Sequence, residues 1–102
     1  MPGVGKLLKQ AQKMQKAMEA AQAELETLAI EGSAAGGAIK AVVNGQGTFK
    51  SIKIDPEFLK EDVASVEASI VAAVDNAVEK AKTQSQEQMN KITGGFSLPG
   101  LF

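Results

Sequence analysis

Four lysines, Lys6, Lys9, Lys13 and Lys16, recur at spacings of three, four and three near the start of the chain. On an α-helix that spacing puts all four ammonium groups on one face, over about 15 Å of axis. No acidic residue stands among them. A line of cations is what tracking a phosphate polyanion requires, and Gln10 and Gln12 beside it could donate to phosphate oxygens or base edges. A solvated helix face has the same appearance. The rest of the composition and the elements that carry the line must separate the two.

Catalysis finds no foothold. The 102 residues contain no Cys and no His, so thiolate nucleophiles, Cys or His metal ligands and the commonest general base are all missing. Ser and Asp occur without a base to complete a nucleophile pair. The carboxylates are scattered along helical faces. Gly45-Gln46-Gly47 reads as a turn, and Gly95 with Gly100 has phosphate-loop spacing but is followed by Leu101 where a lysine would stand. No enzyme activity, metal, cofactor or small-molecule substrate is expected. No apolar run approaches membrane-spanning length, and lysines interrupt the first apolar positions, unlike a signal peptide. A cytoplasmic protein without membrane contact is the expectation.

Charge is strongly segregated along the chain although the total is only −1. Residues 1–18 carry +4, 19–31 carry −4, 32–54 carry +3, 55–79 carry −6 and 80–102 carry +2. The ends are basic and the middle acidic, so a polyanion would be confined to the basic parts. Every basic residue is Lys; Arg, Tyr and Trp are absent. Without Arg the commonest specific guanine contact is lost, Lys being a less directional point charge. Without Tyr or Trp there are few stacking platforms for single strands. The composition therefore suits low-specificity contact with a duplex backbone.

The lysine line rides on a helix predicted from about Val4 to Leu28. Its apolar positions, Val4, Leu7, Ala11, Met14, Met18, Ala21, Leu25 and Leu28, alternate spacings of three and four. That period of 3.5 favours a coiled-coil-like seam. Cations near the helix N-terminus oppose its dipole, a small cost that a binding role would explain. Gly32 to Gly37 breaks the helix, with a short strand possible over Ala29–Ser33. Ile39, Ala41 and Val43 alternate with Lys40, Val42 and Asn44, predicting a second strand. Asn44-Gly45 signals a hairpin turn, and the chain returns over Thr48–Ile54. Phe49 is out of phase with Ile52 and Ile54, which a bulge near Lys50-Ser51 would reconcile. Asp55-Pro56 opens a short helical turn. Asp62 then caps a long helix over Val63–Ile92, with Val63, Val66, Ile70, Val74, Ala77, Ala81, Ser85, Met89 and Ile92 on one stripe. Gly94-Gly95 ends it, and residues 96–102 form a tail.

The expected fold is a single α+β domain over residues 1–102, in the order α-β-β-β-α, with a small antiparallel three-stranded sheet. Helices of about 37 and 45 Å are too long for a compact globule whose radius of gyration would be about 13 Å. The seam and the sheet edges need cover, and a homodimer with protruding helical arms supplies it. Leu7, Met14, Met18, Leu25 and Val42 are the candidate interface residues. If the helices pack antiparallel, Lys80, Lys82 and Lys91 meet Lys6–Lys16 at the end far from the sheet.

Several stretches together resemble a known family. They are Leu8-Lys9-Gln10-Ala11-Gln12-Lys13-Met14-Gln15, Val43-Asn44-Gly45, Ile52-Lys53-Ile54-Asp55-Pro56, Ile70-Val71-Ala72-Ala73-Val74, Thr93-Gly94-Gly95 and Leu98-Pro99-Gly100. In that order, over nearly the whole chain, they look like the YbaB/EbfC family of bacterial nucleoid-associated proteins. The resemblance implies an intertwined, tweezer-like dimer that binds double-stranded DNA in the nucleoid through its helical arms. Carried onto this chain, the DNA-binding set is Lys6, Lys9, Gln10, Lys13 and Lys16, with Lys80, Lys82 and Lys91 from the second helix. The competing reading is a structural adaptor or chaperone-like module whose seam binds a protein and whose lysines are solvated.

Overall fold

The structure, a computed structural model, describes residues 2–95; Met1 and the expected tail at residues 96–102 lie outside them. Helix α1 (Pro2–Thr27) leads into strands β1 (Ile30–Ala34), β2 (Ile39–Val43) and β3 (Phe49–Ile54), and the chain leaves through helix α2 (Val63–Gly95). Short 3-10 turns fill Ala35–Gly37 and Pro56–Lys60. The sheet is antiparallel in the order β1-β2-β3. These are the expected elements, with α2 running three residues further, through Gly94 and Gly95. The bulge is where the phase conflict required it: Val42 pairs with Ser51 and Val43 with Phe49, leaving Lys50 as the extra residue.

The core lies between α2 and one face of the sheet. Ala73, Ala77 and Ala81 on α2 pack against Ile30, Ile39, Ala41 and Val43, all buried. Small side chains on the helix let it settle close to the strands. The approach is closest at Gly32, where the α2 backbone at Ala73 and Ala77 occupies the space a side chain would need. Gly32 is therefore a strand residue, within the short strand expected over Ala29–Ser33, and its lack of a side chain is what the helix contact requires. The predicted α2 stripe is buried or half-buried from Val66 to Ile92, but Val63 is 72% exposed and Ala73 joins the core from outside the stripe.

Side chains of α2 also satisfy the backbone on the outer side of β1. The Ser33 amide donates to Asn76 Oδ1 at 3.1 Å, and Lys80 Nζ donates to the Glu31 carbonyl at 3.1 Å. The spacings match: four helical residues rise about 6 Å and two strand residues about 6.7 Å. Asp62 caps α2, accepting from the Ser65 hydroxyl at 2.7 Å and from its amide at 3.2 Å. The Ser65 hydroxyl and then the Ser65 amide hold the Asp62 carboxyl below the usual aspartate range.

Asn44 organises the β2–β3 hairpin. It is buried, and its Oδ1 accepts from the amides of Gln46 (2.9 Å) and Thr48 (3.0 Å). The left-handed residue is Gly47, at φ 85°, rather than Asn44 or Gly45. Asn44→Ala leaves two amides without their acceptor and should cost about 2 kcal/mol, read as a lowered urea midpoint at unchanged slope.

α1 and the C-terminal half of α2 run alongside each other, joined by a hydrogen bond from Gln88 to the Glu24 carboxylate at 3.2 Å. Met14, Ala17 and Met18 are half-buried and Ala21 and Leu25 buried on α1, as are Ser85, Gln88, Met89 and Ile92 in part on α2. The molecule is 71 × 22 × 16 Å with a radius of gyration of 19.7 Å. Helices of about 39 and 50 Å fill that length only when antiparallel and overlapping in part, so the N-terminal half of α1 projects past α2. Part of the heptad seam thus finds its partner within the chain. Leu25, expected at a dimer interface, is 1% exposed against its own chain and has no surface left to offer. Leu7 remains 46% exposed on the projecting half.

Candidate nucleic-acid interface

Lys6, Lys9, Lys13 and Lys16 are all exposed along the projecting half of α1. Among the described residues none of them pairs with a carboxylate; the one ion pair found there joins Lys60 to Glu57 at 3.1 Å. The first turn of α1 contains no acid. Beyond Lys16 the same helix carries Glu19, Glu24 and Glu26, all exposed, so the arm is positive towards its tip and negative at its base. Gln10 is half-buried on the flank of the lysine face.

The lysines of α2 do not join this line as a group. Lys80 lies beside the sheet with its ammonium on the Glu31 carbonyl. Lys82 lines a groove of about 300 Å³ with Gly45, Gln46, Gly47, Val78, Ser85 and Gln86. From the Glu24–Gln88 register, both sit roughly 20 Å along the axis from Lys16. Lys91 comes nearer, beside Leu28, Gln84, Glu87 and Gln88. The expected meeting of all seven lysines at one end is therefore corrected: the α2 set is spread along the body, because α2 spends its first half covering the sheet. Val42, another expected interface residue, is half-buried on the sheet face turned away from α2, and Met14 and Met18 are half-buried on α1.

What holds the arm is the hairpin tip. The Gly45 amide donates to the Leu25 carbonyl at 2.7 Å, and Gln46 Nε2 reaches the Gln22 carbonyl at 3.3 Å and its Oε1 at 3.4 Å. A side chain at Gly45 would meet the Leu25 carbonyl oxygen at 2.7 Å and its Cα at 2.8 Å. The Asn-Gly signal marked the turn, but not that Gly45 and Gln46 dock the base of α1. That contact joins residues about twenty apart and has no periodic signature.

A basic arm set on an α-β-β-β-α body is the arrangement to compare with known proteins. The model of the YbaB/EbfC DNA-binding family matches residues 1–96. The chain belongs to the YbaB/EbfC DNA-binding family. Curated YbaB/EbfC relatives named nucleoid-associated protein are similar over nearly their whole length. One from Caldanaerobacter subterraneus is 43% identical over 100 residues, covering 97% of this chain and 90% of its own. One from Alkaliphilus metalliredigens is 45% identical over 102 residues, covering 99% and 90%. One from Ruminiclostridium cellulolyticum is 48% identical over 98 residues, covering 94% and 85%. The crystal structure of an uncharacterized protein from Helicobacter pylori has the same fold, with a TM-score of 0.65 over 76% of this chain and 90% of that one, at 16% identity. No helix among the described residues is long and apolar enough to cross a membrane.

Proposed function

We propose that this protein is a nucleoid-associated homodimer that binds double-stranded DNA through its phosphate backbone, with low sequence specificity. The observation that carries the proposal is the line of Lys6, Lys9, Lys13 and Lys16, without carboxylate partners among the described residues, on the projecting arm of a DNA-binding family member. Gln10 flanks the line, and Lys91 extends it along α2. Lys82 offers a further cation at the groove by the hairpin tip. Low specificity follows from the absence of Arg, since lysine point charges position a duplex without reading it.

Support for the dimer comes from apolar surface the chain does not cover. α2 lies over β1 and β2 and leaves β3 aside. Phe49 on β3 is 50% exposed, and Val71 and Val78, on the flank of α2 opposite Asn76, are exposed as well. Leu59 and Val63 are exposed too, and a second copy would bury such apolar side chains. The interface candidates Leu7, Met14 and Met18 lie on the arm; Val42 lies on the other sheet face, away from this apolar surface.

Salt tests both parts at once. If a dimer places eight arm lysines on phosphates, the logarithm of the binding constant should fall with the logarithm of salt at a slope near −7; a single arm gives about −4. Scrambled duplexes of equal length should bind alike. Absence of duplex retention at 50 mM salt would overturn the assignment.

A further inference from the structure

We propose that the sheet face turned away from α2 is a second surface for nucleic-acid phosphates, built on Lys40 and Lys53, so that one molecule holds two duplex segments. This rests on the DNA-binding reading above and adds a site to it. Lys40 alternates with the buried Ile39 and Ala41, and Lys53 with the half-buried Ile52 and Ile54 that pack on the core. Both lysines therefore point away from α2, and both are exposed. The register makes them direct cross-strand partners, with Ser33 completing the row on β1.

Residues directly opposite on antiparallel strands hold their Cβ atoms about 5 Å apart, and like charges there destabilise the sheet. Neither lysine has a carboxylate partner among the described residues. Lys50 stands exposed at the adjacent bulge, and Ser51 lies one row along on the same face. The acid sharing the face is Glu31, in the row of Val42 and Ser51. Three lysines, two hydroxyls and one carboxylate make a surface whose repulsion is relieved by an anion. Duplex DNA supplies one such charge per about 1.7 Å of axis.

The segment held there is not the one held by the arm. Between Lys16 and the sheet, α1 presents Glu19, Glu24 and Glu26, all exposed, and no lysine occurs from residue 17 to residue 39. A duplex continuing along α1 from the arm towards the sheet would cross this acidic collar, which repels it; Lys91, the α2 cation at that level, stands beside Glu87. The collar separates two basic surfaces on one body.

The test is a two-duplex capture. One 30-base-pair duplex is fixed to beads and a second, fluorescent duplex is offered with the full-length protein at 50 mM salt. Wild type should retain the bead duplex and recruit the fluorescent one. The variant Lys40→Gln with Lys53→Gln should retain the bead duplex within about twofold, melt no lower than wild type, and recruit at least tenfold less. Lys40→Arg with Lys53→Arg should restore recruitment. Unchanged recruitment by the glutamine variant would overturn the proposal. So would a loss seen only in adsorption to vesicles of phosphatidylserine and phosphatidylcholine, which would assign the face to a lipid surface. If wild type fails to retain even the bead duplex, the DNA-binding reading itself falls, and this proposal with it.

Discussion

Gly32→Ala should lower the melting temperature by roughly 12–24 °C. The added Cβ would fall on the backbone nitrogen of Ala77, 2.5 Å from the Ala73 carbonyl oxygen and 2.7 Å from the Ala77 Cα. None of these is the end of a flexible side chain, so relief requires α2 to lift from the sheet. Lifting it loosens Ala73, Ala77 and Ala81 from Ile30, Ile39, Ala41 and Val43, which are most of the buried core. Overpacking that moves backbone belongs at the upper end of such costs, about 3 kcal/mol. In a domain of this size each kcal/mol shifts the midpoint by about 4–8 °C. A circular dichroism melt measures it directly, and a midpoint within a few degrees of wild type would mean α2 does not lie as close as described.

Replacing Lys6, Lys9, Lys13 and Lys16 together by glutamine should reduce duplex affinity at 50 mM salt by about 10³-fold or more. The expectation follows from the number of phosphates neutralised: proteins with six to ten such contacts lose about 10³–10⁵ in affinity as salt rises from 50 to 200 mM. Removing the cations removes that contribution at source, and the salt slope should flatten by about seven if the arms act as a pair. The fold should not suffer. All four side chains are exposed and have no carboxylate partner among the described residues, and cations in the first turns oppose the helix dipole, so their loss is neutral or slightly stabilising. Equal melting curves beside lost retention would isolate the arm as the binding element. Full retention by the quadruple variant would return its lysines to the solvated surface.

Local pattern carried most of the fold. The alternation at Ile39, Ala41 and Val43 announced a half-buried strand, and the phase error at Phe49 announced a bulge that falls at Lys50. Asp55 and Asp62 are caps for reasons visible in the next few residues. What stayed hidden depends on distant backbone. Gly32 could be placed in a strand, but not against a helix, because contact from residues more than forty positions away leaves no local mark. The seam on α1 announced a helical partner but not whose: Ala21 and Leu25 are buried within the same chain, while Leu7 stays exposed. For the interface, the lysine line was legible from spacing alone. The placement of Lys80 and Lys82 was not, because it depends on how much of α2 the sheet consumes.

The hydrogen bonds from Ser33 to Asn76 and from Lys80 to Glu31 have a consequence for assembly. The outermost strand of a sheet is ordinarily open to pairing with a neighbour's strand. Along β1 two of the groups that would do so, the Ser33 amide and the Glu31 carbonyl, are already engaged by the molecule's own helix. Among the described residues no side chain caps β3 in this way. A sheet that can zip to a neighbour along one margin only pairs once and terminates, so strand-to-strand joining through β3 gives a closed couple rather than a growing ribbon. That geometry favours discrete units over fibres.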